Sequence, residues 1–177
     1  GCHGGAIVPV AVDMERFRPI DRQEARRALG WPEHGVIALL PDSRAVKRKR
    51  ADVFDAALEH ARRSVPELRA ESLEGLGRDE VARVMSAVDV TVMTSNYEGS
   101  PVAVKESLAC LTPVVSVPVG DVEGLLAGLP GCAVVPRDPT LIGDAVVAAL
   151  DAGRPPELRE RVSSFGRAQI AEQIVAV

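Results

Sequence analysis

Short runs of Val, Ile, Leu and Ala recur along this chain, and each is followed by a stretch of helical character. That alternation narrows the fold more than any other feature, because it is the pattern of a parallel sheet with crossover helices. The runs at 6–10, 36–40, 68–73, 88–94, 113–117 and 133–135 are the strand candidates. Several are nearly continuous in apolar residues, as expected of strands covered on both faces. Helices are expected over 22–29, capped by Asp21 and ended by Gly30, and over 48–64, with Val53, Ala57, Leu58 and Ala61 on one face. Further helices are expected over 79–87, 101–110 with Pro101 in the first turn, and 121–127. The remaining ones are a helix to about 151 capped by Asp138 with Pro139 at its first position, then 156–163 and 165–176. The expected architecture is α/β, a Rossmann-like parallel sheet flanked by helices, with residues 1–177 forming one domain.

Composition removes several classes of function. Hydrophobic residues make up 46% of the chain, enough for a core, but aromatic residues are only 3%, so few surfaces can stack on bases. The net charge of −4 gives no general attraction to nucleic acid, and no nucleic-acid partner is expected. The three cysteines, Cys2, Cys110 and Cys132, form no CxxC pair and read as reduced thiols in a cytoplasmic protein. No apolar run approaches the length of about 20 residues that spans a bilayer, and no signal peptide is expected. The chain opens at Gly1 rather than Met, on residues that already read as the approach to a strand, so an upstream portion is expected.

The chemistry concentrates between Glu98 and Glu106. A buried-looking strand leads through a turn containing Gly99, Ser100 and Pro101 into a helix, and the carboxyl end of a strand is where open α/β sheets bind ligands. A helix N-terminus there offers unpaired N–H groups and partial positive charge, which suits phosphate. Glu106 lies about a turn and a half inside that helix among Val104, Leu108 and Ala109. A buried carboxylate needs partners, and a vicinal diol such as a ribose would supply two donors. The plain alternative is that Glu98 caps the helix and Glu106 pairs with a surface Lys or Arg.

A basic run, Arg44 to Arg50, follows the strand at 36–40. Cations at a helix N-terminus oppose its dipole, and a bound dianion would offset that. A solvated charged turn is the bland reading, and a nucleic-acid patch a third.

The frame Ser95-x-Tyr97-Glu98-Gly99-x-Pro101, continuing to Glu106-x-Leu108-Ala109-Cys110, resembles the signature of the family 4 retaining glycosyltransferases. The likeness continues through Thr112-Pro-Val-Val115, Val119-Gly120-Asp121, Gly131 to Pro136 and Asp138-Pro139, and closes over 170–177. It also reaches back to Ile7-Val-Pro9 and Val12 to Pro19. It covers nearly the whole chain but only the C-terminal, donor-binding half of the two-domain GT-B fold. The resemblance implies a retaining hexosyltransferase that takes a sugar from a nucleotide diphospho-sugar such as a UDP- or GDP-sugar. It implies that Glu98 is the catalytic carboxylate that holds hydroxyls of the transferred sugar, and that Glu106 holds the ribose. Backbone N–H groups of Gly99, Ser100 and Val102 would contact the sugar and distal phosphate. The family's Arg and, about five residues on, Lys clamp the diphosphate; Arg44 and Lys49 have that spacing, with Asp52 three beyond and Lys47 a rival. Leu73 to Leu76 would lie near the base, with main-chain contacts from Gly75 and Leu76.

Departures from the family pattern are Val10-Ala11 in the interdomain turn, Leu111 where Gly is usual, and Gly124 where Glu is expected. The chain has no GxGxxG, no P-loop, no GxSxG, no DxD-type pair and no His cluster, so no metal and no cofactor are expected. An N-terminal acceptor half outside this chain is the expected partner, and any membrane contact belongs to that half. The isolated 177 residues are expected to bind donor without turnover. A sugar-nucleotide epimerase of the same architecture and a non-catalytic binding module are the alternatives.

Overall fold

The computed structural model describes residues 10–166 and 169–170. Most of the expected strand at 6–10 and most of the expected helix at 165–176 lie outside them, as do Cys2 and His3. Val10 is exposed and belongs to no strand, and residues 163–165 form a 3-10 turn.

Five parallel strands form one sheet: β1 (Val36–Leu40), β2 (Leu68–Ser72), β3 (Val90–Met93), β4 (Val114–Ser116) and β5 (Ala133–Val134). Their order is β2-β1-β3-β4-β5. Every residue of β3 and β4 is buried, which is why the sequence there is a Val-rich run without alternation. In β2, at the sheet edge, only Leu68 is buried, and its sequence is correspondingly polar.

The helices are α1 (Arg22–Ala28), α2 (Ala51–Ala61), α3 (Arg78–Ala87), α4 (Val102–Ala109), α5 (Val122–Leu126), α6 (Pro139–Ala152) and α7 (Glu157–Val162). Helix α2 packs on α6 so closely that a Cβ at Gly143 would lie 2.7 Å from the Ala57 carbonyl oxygen. Helices α1, α3, α4 and α7 pack in sequence as a second layer. The caps follow the sequence: Asp21 accepts from Glu24 N–H at 2.9 Å, and Asp138 accepts from Thr140 N–H at 2.8 Å. A buried Arg26 ties α1 to the sheet, donating to Asp89 at 2.7 Å and to the Ala87 carbonyl at 2.9 Å, while Asp89 also accepts from Ile37 N–H. Cys110 and Cys132 carry free thiols that burial pushes up to about 11. Among the described residues no helix is long and apolar enough to cross a membrane.

The expected helix over 48–64 divides. Lys47–Lys49 is a 3-10 turn, Arg50 turns left-handed at φ 53, and α2 begins at Ala51. Tertiary hydrogen bonds draw the turn out of the helix. Asn96 N–H donates to the Arg48 carbonyl at 2.8 Å, and Thr94 Oγ1 reaches the Lys49 carbonyl at 2.7 Å. Pro101 stands at the N-cap of α4 rather than inside it.

Candidate functional site

Strand β1 is followed in the chain by a move to one side of the sheet, and β3 by a move to the other. The crevice at such a switch point, beyond the carboxyl ends of the strands, is where this sheet class takes ligands. A cleft of about 320 Å³ lies there. Pro41 and Asp42 line it after β1, Met93 and Glu98 at the end of β3 and beyond, and Ser100 to Ala103 with Glu106 from the start of α4. A larger hollow of about 530 Å³ beside Met14, Leu111 and Arg159 contains none of the predicted site residues.

One end of the cleft is a compact charge cluster. Lys49 Nζ and Arg48 Nη1 each stand 2.8 Å from Glu98 Oε1. Lys49 also lies 2.9 Å from Asp42 Oδ2. The side chains of Lys49 and Glu98 are only 7% and 13% exposed, so this is a shielded pair rather than a surface one. Burial pushes the Glu98 carboxyl up, but the Lys49 ammonium and the Arg48 guanidinium outweigh it and leave the group below its ordinary value. Glu98 therefore pairs with two cations and does not cap α4. Among the described residues no side chain caps that helix, and its N-terminal turn lines the cleft.

The other end is built around Glu106, whose side chain is 4% exposed and is paired with Arg78 of α3. For Glu106 the plain alternative from the sequence, a pair with a surface arginine, is what the structure shows. The Arg78 guanidinium lies 4.8 Å from the centre of the Phe17 ring. Burial raises the Glu106 carboxyl above its ordinary value and Arg78 offsets only part of that.

The structure thus brings Lys49, Glu98, Ser100, Val102 and Glu106 to one cleft. Arg44 is turned elsewhere: its guanidinium pairs with Asp55 of α2, and its N–H donates to Glu74 at 3.0 Å. Lys47 is exposed, and Asp52 pairs with Arg50 at 2.7 Å. Leu73 lines the cleft, whereas Gly75 and Leu76 do not. Sequence reasoning overlooked Asp42 and Arg78, which carry no motif, and passed over Arg48 inside the basic run. It also left Gly120 without a role. Gly120 has φ 54, and a Cβ there would lie 2.9 Å from the Gly99 carbonyl carbon and 3.2 Å from the Glu98 oxygen. The close approach near Glu98 thus depends on Gly120, while Gly99 itself has open space around its Cβ position.

Comparison with known proteins identifies the family and the fold. The family model described as glycosyl transferases group 1 matches residues 33–152, more than half of the chain. A D-inositol 3-phosphate glycosyltransferase of Geodermatophilus obscurus is 32% identical over 81% of this chain, which spans 40% of that protein. Sucrose-phosphate synthase from Thermosynechococcus elongatus superposes with a TM-score of 0.76 at 21% identity, covering 97% of this chain and 51% of that one. HepE from Anabaena, solved in complex with UDP, gives a TM-score of 0.70 at 15% identity over 94% of this chain and 55% of its own. These likenesses share the parallel Rossmann-like sheet of a C-terminal GT-B domain. The chain belongs to the glycosyl transferases group 1 family.

Proposed function

We propose that this chain is the donor-binding part of a glycosyltransferase that moves a sugar from a nucleotide diphospho-sugar to an acceptor with retention at the anomeric carbon. The observation that carries the proposal is the joining, in one cleft, of the Lys49–Arg48–Glu98 cluster, the uncapped start of α4 and the buried Glu106. Lys49 and Arg48, with the α4 N-terminus, offer positive charge where a departing diphosphate gains negative charge. Arg44 joins them by leaving Asp55. Glu98 would orient hydroxyls of the sugar, and the backbone N–H groups of Gly99, Ser100 and Val102 would hold the sugar and distal phosphate. Glu106 would exchange its contact with Arg78 for the ribose hydroxyls. The UDP and UDP-glucose complexes of HepE support a nucleotide-sugar ligand for the cleft. No metal takes part in this reading, because the cations and the helix end occupy its role.

The acceptor-binding portion lies outside these 177 residues, in keeping with the 40% of the Geodermatophilus relative that the chain spans. The full enzyme works in the cytoplasm. A transfer assay on the full-length gene product, with the anomeric configuration of the product read by NMR, tests the proposal. A product of the same configuration as the donor is expected, and inversion would refute the retaining mechanism. Multiple turnovers by the 177-residue chain alone would refute the division of labour, and donor epimerised without acceptor would favour an isomerase.

A further inference from the structure

Lys105 is fully buried in a helix that also buries Val104, Glu106, Ser107, Leu108 and Ala109. An apolar side chain there would avoid the several kcal/mol that burying an ammonium costs. Its surroundings suggest what the charge does. Nζ donates to Ser100 Oγ at 2.6 Å and lies 3.3 Å from Asp121 Oδ2 and 4.6 Å from the centre of the Phe165 ring. Ser100 Oγ in turn donates its only proton to Asp121 Oδ2 at 2.7 Å, leaving its lone pairs to Lys105. The three groups join α4, the loop after β3 and the loop after β4. Beside them, Gly120 presses on the backbone of Glu98 and Gly99.

We propose that Lys105 is a positioning residue for the sugar end of the donor site: by holding Ser100 against Asp121 it sets the place of the loop that carries Glu98 and the Gly99 and Ser100 amides. This inference rests on the donor-site reading above. Glu106 and Lys49 stand on other supports, so the brace governs the sugar end of the cleft and not the nucleoside end. A residue needed only for folding would weaken every ligand together, and the brace predicts a split.

The test is titration of the chain and its K105M, S100A and D121N variants with nucleoside monophosphates and the corresponding nucleotide-glucose donors, in the uridine, guanosine and adenosine series. Asp121 is 43% exposed, so D121N keeps the test alive if K105M fails to fold. K105M and D121N are expected to weaken the sugar-bearing donor about tenfold, as for loss of a hydrogen bond to a charged group, with the monophosphate changed less than about twofold. Adding S100A to K105M should cost little more, since both break one network. Equal weakening of both ligands, or of neither, overturns the proposal. A wild-type chain that binds no nucleotide-glucose would sink the donor-site reading instead. Amide exchange without ligand then tests the brace separately: it should accelerate at Gly99, Ser100 and Val102 in K105M and D121N, and unchanged exchange overturns it.

Discussion

Lys49 Nζ bridges two carboxylates, 2.8 Å from Glu98 Oε1 after β3 and 2.9 Å from Asp42 Oδ2 after β1. One ammonium thus spans the topological switch of the sheet and keeps two acids from repelling each other across the cleft. Replacing Lys49 by Met leaves Arg48 as the remaining partner of both. Donor affinity is expected to fall about tenfold or more, by calorimetric titration. The Glu98 carboxyl should also titrate at higher pH than in the wild type, measurable by NMR.

The two glutamates give opposite pH signatures. Glu98 is held below its ordinary value, so its contribution to stability is complete above that value and is lost as pH falls through the lowered one. Glu106 is raised, so its ionised form costs stability, and the cost is relieved as pH falls through the raised value. Glu106→Gln removes that cost and keeps an oxygen for Arg78. It is expected to raise Tm at neutral pH by about 2–4 °C, with the gain vanishing in acid, while donor binding is lost. Melting curves from pH 4 to 8 check this, and a variant less stable at neutral pH contradicts it.

Glycines 99 and 120 should respond differently to Ala. Gly120→Ala meets the Glu98–Gly99 backbone at a left-handed φ and is expected to cost about 1–3 kcal/mol in denaturant unfolding. Gly99→Ala has open space and no left-handed φ, so stability should change little. Its donor affinity should nevertheless fall, because the added methyl occupies the path of the sugar.

Among the described residues the Arg50 side chain pairs with two exposed groups, Asp52 and Asn96, yet Arg50 holds φ 53, where L residues are strained. Arg50→Gly should raise Tm by about 2 °C in a thermal melt, with Lys49 still seated on Glu98 and donor affinity retained.

Much of the fold is legible in the sequence. Strand β1 lies where its apolar run lies, and Asp21 and Asp138 cap the helices they announce, because these signals are local. The helix at 48–64 misled for a non-local reason: Thr94 and Asn96, more than forty residues away, donate hydrogen bonds to the carbonyls of the turn at 48–50. The Glu98–Glu106 spacing pointed to one cleft, since a strand end and a helix start must adjoin. Which member of the basic run faces that cleft depends on the left-handed turn at Arg50, which no periodicity reveals. Leu111, where the family usually has Gly, holds φ 62, so the departure seen in the sequence falls at a left-handed position. No signal in the sequence marks Lys105, whose partner Asp121 comes from the loop after β4.

The most direct test of the donor-site account is calorimetric titration of the chain with UDP, GDP and ADP and their glucose esters, alongside Glu106→Ala and Lys49→Ala. One nucleotide series should bind with a Kd between about 1 µM and 1 mM, or about −8 to −4 kcal/mol, and both substitutions should weaken it by at least about tenfold. Binding that survives both substitutions unchanged would place the nucleotide somewhere other than the cleft between β1 and β3, and would contradict the account.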